Sequence, residues 1–94
     1  MGFKLVKAKV IKALLDGTYE HEVRLDIDEK NKLQNGEVSV QFVIDLIRRS
    51  TGDDYASSPH HQDGRVEVHV IVRNEWYIKF YFIDPATVFI SVHQ

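Results

Sequence analysis

Four residues in the last third of the chain could do chemistry together: His69, Tyr77, Lys79 and His93. Lysine supplies a fixed positive charge, and imidazole exchanges protons near neutral pH. A tyrosine ring can stack on a base or hydrogen-bond a phosphate. These are the parts of metal-independent RNA cleavage. A base takes the 2′-hydroxyl proton, a cation stabilises the pentavalent phosphorane, and an acid protonates the leaving 5′-oxygen. Aromatic platforms beside basic side chains are also how single strands are held. The same residue types suit the solvent face of any antiparallel sheet, so position must separate the readings.

Strand alternation is what would place these residues together. Val66, Val68, Val70 and Val72 alternate with Glu67, His69, Ile71 and Arg73. Trp76, Ile78, Phe80 and Phe82 alternate with Tyr77, Lys79 and Tyr81, and Val88, Ile90 and Val92 with Thr87, Phe89, Ser91 and His93. Side chains switch faces with period two, so the even positions predict one apolar face and the odd positions an open one. A register slip by one would turn the valines outward. Keeping them inward pairs Val72 with Trp76 across a three-residue loop, and Phe82 with Val88 across a five-residue loop. A two-residue Asn74-Glu75 turn breaks that parity and lacks the glycine such turns favour. The expected open-face rows are Glu67–Tyr81–Phe89, His69–Lys79–Ser91 and Ile71–Tyr77–His93.

The apolar face needs helices to cover it. Phe3, Val6, Val10 and Leu14, with Leu5 and Leu15 alongside, form a stripe at helical spacing that Asp16-Gly17 ends. Val40, Val43, Ile44 and Ile47, with Phe42 and Leu46, predict a second helix. Ser39 is its N-cap and Arg48-Arg49 lies at its C-terminal end. Between them, Glu22 to Ile27 alternates like a strand and Asp28 to Gln34 reads as a short helix capped by Asp28, together an irregular connector. The expectation is an α+β fold, with two main helices packed on one face of an antiparallel sheet of three strands or slightly more. A single domain is expected over 1–94, with a helical half at 3–50, a loop at 52–65 and the sheet at 66–93.

Composition narrows the classes of activity. The 94 residues are 44% hydrophobic and 28% charged, close to globular averages and unlike a disordered chain. Without cysteine there is no disulfide, thiolate metal site or thiol nucleophile. The net charge of −2 provides no global basic field, yet five histidines make the charge sensitive to small changes in pH. No G-x-S-x-G elbow or Gly-rich phosphate loop occurs. No apolar run is long enough to span a membrane, and no secretory or myristoylation signal is present, so a cytoplasmic location is expected. The segment Ser57-Ser58-Pro59-His60-His61 has three readings. It is a mobile binding lip beside the open face, a metal site joining His60 or His61 to His69, or a plain polar connector.

The order of elements and several short segments resemble the MqsR family of bacterial toxins. The segments are Leu14-Leu15-Asp16-Gly17, Val43-Ile44-Asp45-Leu46-Ile47, Asp54-Tyr55-Ala56-Ser57, Trp76-Tyr77-Ile78-Lys79-Phe80 and Val88-Phe89-Ile90-Ser91-Val92-His93. The resemblance runs over about residues 5 to 93. It implies a RelE-like fold, metal-independent endoribonuclease activity without a cofactor, and neutralisation by a cognate antitoxin. The family's strand tyrosine and the lysine two positions on match Tyr77 and Lys79. Its two catalytic lysines fall at Ala56 and near His93, and its glutamine falls close to Glu67. Lys79 is then the expected phosphate cation, Tyr77 a substrate contact, and His69 with His93 the acid/base pair, with His60 or His61 in reserve. Tyr55, Ser57, Ser58, His60, His61, Glu67, Arg73 and Tyr81 are the expected substrate-binding residues. The expected partners are an RNA substrate and an antitoxin protein, with room for a homodimer and none for a membrane. The alternative is a non-catalytic protein- or RNA-binding module using the same face.

Overall fold

The computed structural model describes residues 2–94, in the order α1 (Phe3–Asp16), β1 (Tyr19–His21), α2 (Ile27–Lys30), α3 (Val40–Arg49), a 3-10 turn (Gly52–Asp54), β2 (Tyr55–Pro59), β3 (Glu67–Arg73), β4 (Trp76–Ile83) and β5 (Ala86–His93). The α+β class expected from the patterning is present. The sheet, however, has five strands in the order β1-β5-β4-β3-β2, with β1 parallel to β5 and every other pair antiparallel. Three helices are present, α2 being only four residues long. Both edge strands lie in segments that the sequence marks as connector or loop.

The helices follow their sequence signals. The stripe on α1 buries Val6, Val10 and Leu14, and Gly17 ends the helix in the left-handed region at φ 76°. Ser39 caps α3 by accepting a hydrogen bond from the Phe42 N–H, 3.0 Å long. Val43, Ile44 and Ile47 of α3 join the α1 stripe against Ile71, Ile78, Phe80, Phe89 and Val92 of the sheet. Each such buried side chain contributes about 1.5–3 kcal/mol of transfer free energy. Lys7 locks the helices together by donating to the carbonyls of Arg48 and Ser50 at the end of α3, where such charge is favoured. Among the described residues no helix is long and apolar enough to cross a membrane.

The register differs from the parity expected. β3 and β4 join through the two-residue Asn74-Glu75 turn, with Arg73 opposite Trp76 and both turn residues at positive φ, 51° and 68°. That is the turn conformation whose twist suits a hairpin, adopted here without glycine. It shifts β3 by one residue relative to β4. Val68 now faces Tyr81, Val70 faces Lys79 and Val72 faces Tyr77, whereas His69 faces Phe80 and Ile71 faces Ile78. A two-residue Asp84-Pro85 turn, with a cis peptide bond, likewise replaces the longer loop expected between β4 and β5 and pairs Phe82 with Thr87. A bulge then restores the anticipated pairs Lys79–Ser91 and Tyr77–His93. The helix-covered face therefore takes the odd residues of β3 and the even residues of β4.

Candidate functional site

The register divides the twelve expected site residues between the two faces. Tyr77, Lys79, Tyr81 and His93 share the face away from the helices with Ser58, which lies opposite Val68. His60 and His61 reach the same side, where they line a cavity of about 250 Å³ with Lys79, Val68, Ile90 and Glu22. Tyr55, Ser57, Glu67, His69 and Arg73 lie on the helix side. The patch joining His69 to Lys79, Tyr77 and His93 is thus not formed, and neither is a metal site joining His60 or His61 to His69. The expected row Glu67–Tyr81–Phe89 is not formed either.

On the helix side most of the polar residues pair with one another. His69 is 2% exposed, and its Nδ1 pairs with the Tyr55 hydroxyl at 2.7 Å. Tyr55 stacks on His69 and on Phe3 of α1. The Glu67 carboxylate stands 3.8 Å from His69 Nε2. Burial lowers the His69 pKa against the opposing influence of Glu67. Burial also pushes the Tyr55 phenol up. Arg73 turns to Asp54, 3.4 Å away, and its buried Nε has no hydrogen-bond partner. A buried histidine bonded on one side and faced by a carboxylate on the other is a packing solution for this strand.

On the other face, two loops turn a flat sheet into a groove. The β2–β3 loop brings His60 edge-on to Tyr81, with ring centroids 5.2 Å apart, and stacks His61 on His60. The connector after β1 approaches from the opposite edge. Its Glu22 N–H bonds to Phe89 O, continuing the β1 pairing, and its carboxylate lies 3.9 Å from His60 Nε2. Arg24 donates to the Ile90 carbonyl and the Ser91 hydroxyl and is clamped by Asp26 at 2.6 Å. Ser91 is the residue opposite Lys79, so Arg24, ion-paired with Asp26, anchors the connector to β5 beside Lys79. Glu22 and Arg24 were not among the expected site residues. Their signal was the strand-like alternation of Glu22 to Ile27, whose polar residues turn inward while Val23 and Leu25 stand almost wholly in solvent.

The tautomers of the two flanking imidazoles are set by main-chain groups. The Gln62 N–H donates to His60 Nδ1 at 3.1 Å, so the proton of neutral His60 is on Nε2, facing Glu22. His93 Nδ1 lies 2.9 Å from the Gln94 main-chain oxygen, which can only accept, so neutral His93 carries its proton there and leaves Nε2 as an acceptor. Tyr77 stacks on His93 at 5.2 Å. Burial, with Glu22 and Glu20 nearby, pushes the Tyr81 phenol up and keeps it a hydroxyl. Along β4, Lys79 sits midway between Tyr77 and Tyr81, one same-face step of about 7 Å from each. A cation thereby lies between two tyrosines, each with an imidazole packed against its ring.

The fifth histidine has another role. His21 Nδ1 accepts from the side-chain amide of Asn31, which is fully buried and also caps the Gln34 N–H. This ties β1 to the segment after α2, and burial lowers the His21 pKa. Compared with known proteins, the chain matches no family model, no curated protein and no solved structure.

Proposed function

We propose that the chain is a metal-independent endoribonuclease of the toxin kind, cleaving single-stranded RNA in the groove between the β2–β3 loop and the β1–α2 connector. Lys79 holds the scissile phosphate and stabilises the charge that builds on the phosphorane. His93 Nε2 accepts the 2′-hydroxyl proton as that oxygen attacks phosphorus. The departing 5′-oxygen takes its proton from the imidazolium form of His60, paired with Glu22 and with the Gln62 N–H contact to Nδ1 given up, and this leaves a neutral His60, a 2′,3′-cyclic phosphate and a free 5′-hydroxyl. Tyr77 and Tyr81 offer rings to the flanking bases. His60 takes the place first expected for His69, which lies under the helices.

The observation carrying this reading is the placement of Lys79 between Tyr77, on which His93 stacks, and Tyr81, against which His60 packs. The resemblance to MqsR toxins in element order supports it, as does the matching Tyr77–Lys79 pair; on the same reading the fold is RelE-like and the neutralising partner is an antitoxin protein. The test is a cleavage assay on a fluorescent oligoribonucleotide with chelator present. Lys79→Ala and His60→Ala should each lose about 10²-fold or more in rate, as expected for removed general acid–base or charge-stabilising groups. RNA bound by the wild-type chain and left intact would make the groove a binding platform instead.

A further inference from the structure

The two edges of the sheet are built differently. One edge strand, β1, is only three residues long, and beyond it Asn31 makes a single bridge to Val92 of β5. β2 is the other edge strand, with five residues, most of them exposed and none charged, and it is the outermost strand among the described residues. Such an edge presents main-chain donors and acceptors to any strand that can align with it. His60 donates its N–H inward to Val66 O. By alternation, Ser58 and Ala56 face β3, while Tyr55, Ser57 and Pro59 turn their main-chain groups outward. Pro59 has no N–H and offers only its carbonyl outward, so Ser57 supplies the central outward N–H.

The residues around β2 are self-complementary under reversal. Asp53 and Asp54 precede the strand, His60 and His61 follow it, and Ser57 lies at the centre. We propose that β2 pairs antiparallel with β2 of a second copy about a two-fold axis at Ser57. Each Ser57 exchanges N–H and carbonyl with its mate. The exposed acidic turn of one copy meets the His60-His61 end of the other. Since a two-fold pairing uses the same edge of both copies, it closes at two chains and does not propagate into a filament. The result is one ten-stranded sheet with both grooves on the same side, their lysines about 24 Å apart at ordinary strand spacing. A five-residue strand buries less than a standard interface, so the dimer is a weak one that depends on concentration.

Sedimentation equilibrium of the full chain over a wide concentration range tests this independently of any cleavage. The wild type should pass from monomer to dimer. Ser57→Pro, which removes the central outward N–H and no inward bond, should weaken the dimer about tenfold or more. Asp53→Lys should weaken it similarly, and adding His61→Glu should restore it to within about threefold, because an ammonium and a carboxylate then face each other across the axis. The charge swap decides the matter if the proline variant does not fold, which circular dichroism reports. A chain monomeric at every concentration, a dimer indifferent to Ser57→Pro, or a double variant no tighter than Asp53→Lys alone overturns the proposal.

Discussion

His69 and His60 both come from the strand-and-loop region that sequence patterning marks as chemically rich, yet they occupy opposite faces of one sheet. His69 is sealed under the helices, bonded to Tyr55 and faced by Glu67. His60 stands over the other face against Tyr81, with Glu22 beyond its Nε2 and a cavity shared with Lys79. Each has an aromatic neighbour and a carboxylate within 4 Å, so the local recipe is nearly the same. The difference is access. A carboxylate–imidazole pair becomes a candidate for proton transfer only where a substrate can reach it, and a one-residue change of strand register decides which histidine that is.

The contrast between the faces is sharpest in stability. Phe80 is fully buried in the core, so Phe80→Ala should cost about 3–5 kcal/mol in urea unfolding. Lys79, its neighbour on the opposite face, should cost less than about 0.5 kcal/mol when replaced by alanine, although cleavage collapses. A large loss of stability from Lys79→Ala would mean that the groove is part of the core.

The histidines should separate in the same way at smaller amplitude. His69→Ala should destabilise by about 1–3 kcal/mol, since it orphans the Tyr55 hydroxyl and opens a cavity, and should leave the cleavage rate of the folded chain nearly unchanged. His60→Ala should do the reverse. Equal losses of cleavage in both variants would break the comparison.

A pH series sharpens it further. The pKa values of His21 and His69 are lowered by burial, so the folded state favours their neutral forms. The stability this contributes is present above the unfolded value of about 6.5 and is lost as pH falls through the lowered folded-state values. Stability should therefore drop between pH 7 and pH 5, with a slope of at most about 1.4 kcal/mol per pH unit for each histidine. His21→Leu should flatten the profile, because protonation of His21 can no longer break its bond to Asn31.

The smallest effect tests the turn from which the division arises. Glu75 holds φ 68° without the benefit of glycine, so Glu75→Gly should stabilise the chain by about 0.5–1 kcal/mol. A neutral or destabilising result would favour a longer turn and the other register.

The helices were readable in the sequence because their signals are local. Gly17, Ser39 and the stripes at Val6–Val10–Leu14 and Val43–Ile44–Ile47 act where they stand. The strands β3, β4 and β5 were readable as alternation, but their facing was not. The four valines at 66, 68, 70 and 72 suggest an inward set, yet Val68 is buried on the groove face and Val72 lies 45% exposed. The inward set instead contains His69, made acceptable by Tyr55, a partner fourteen residues away. Nothing within β3 announces that bond. β1 and β2 were missed for a similar reason, since three and five residues of mixed polarity become strands only by pairing with β5 and β3. The candidate site was legible at Tyr77, Lys79 and His93, whose pairing survives through the bulge. Glu22 and Arg24 enter it only because the parallel β1 carries the connector across the sheet.

The most direct test of the account follows the imidazole resonances of all five histidines by ¹H–¹⁵N correlation while a non-cleavable oligonucleotide carrying 2′-deoxy substitution is added. The account predicts that His60, His61 and His93 shift in a saturable way, while His69 and His21 stay in place. A response centred on His69, or none at His60 and His93 when binding is complete, would contradict it.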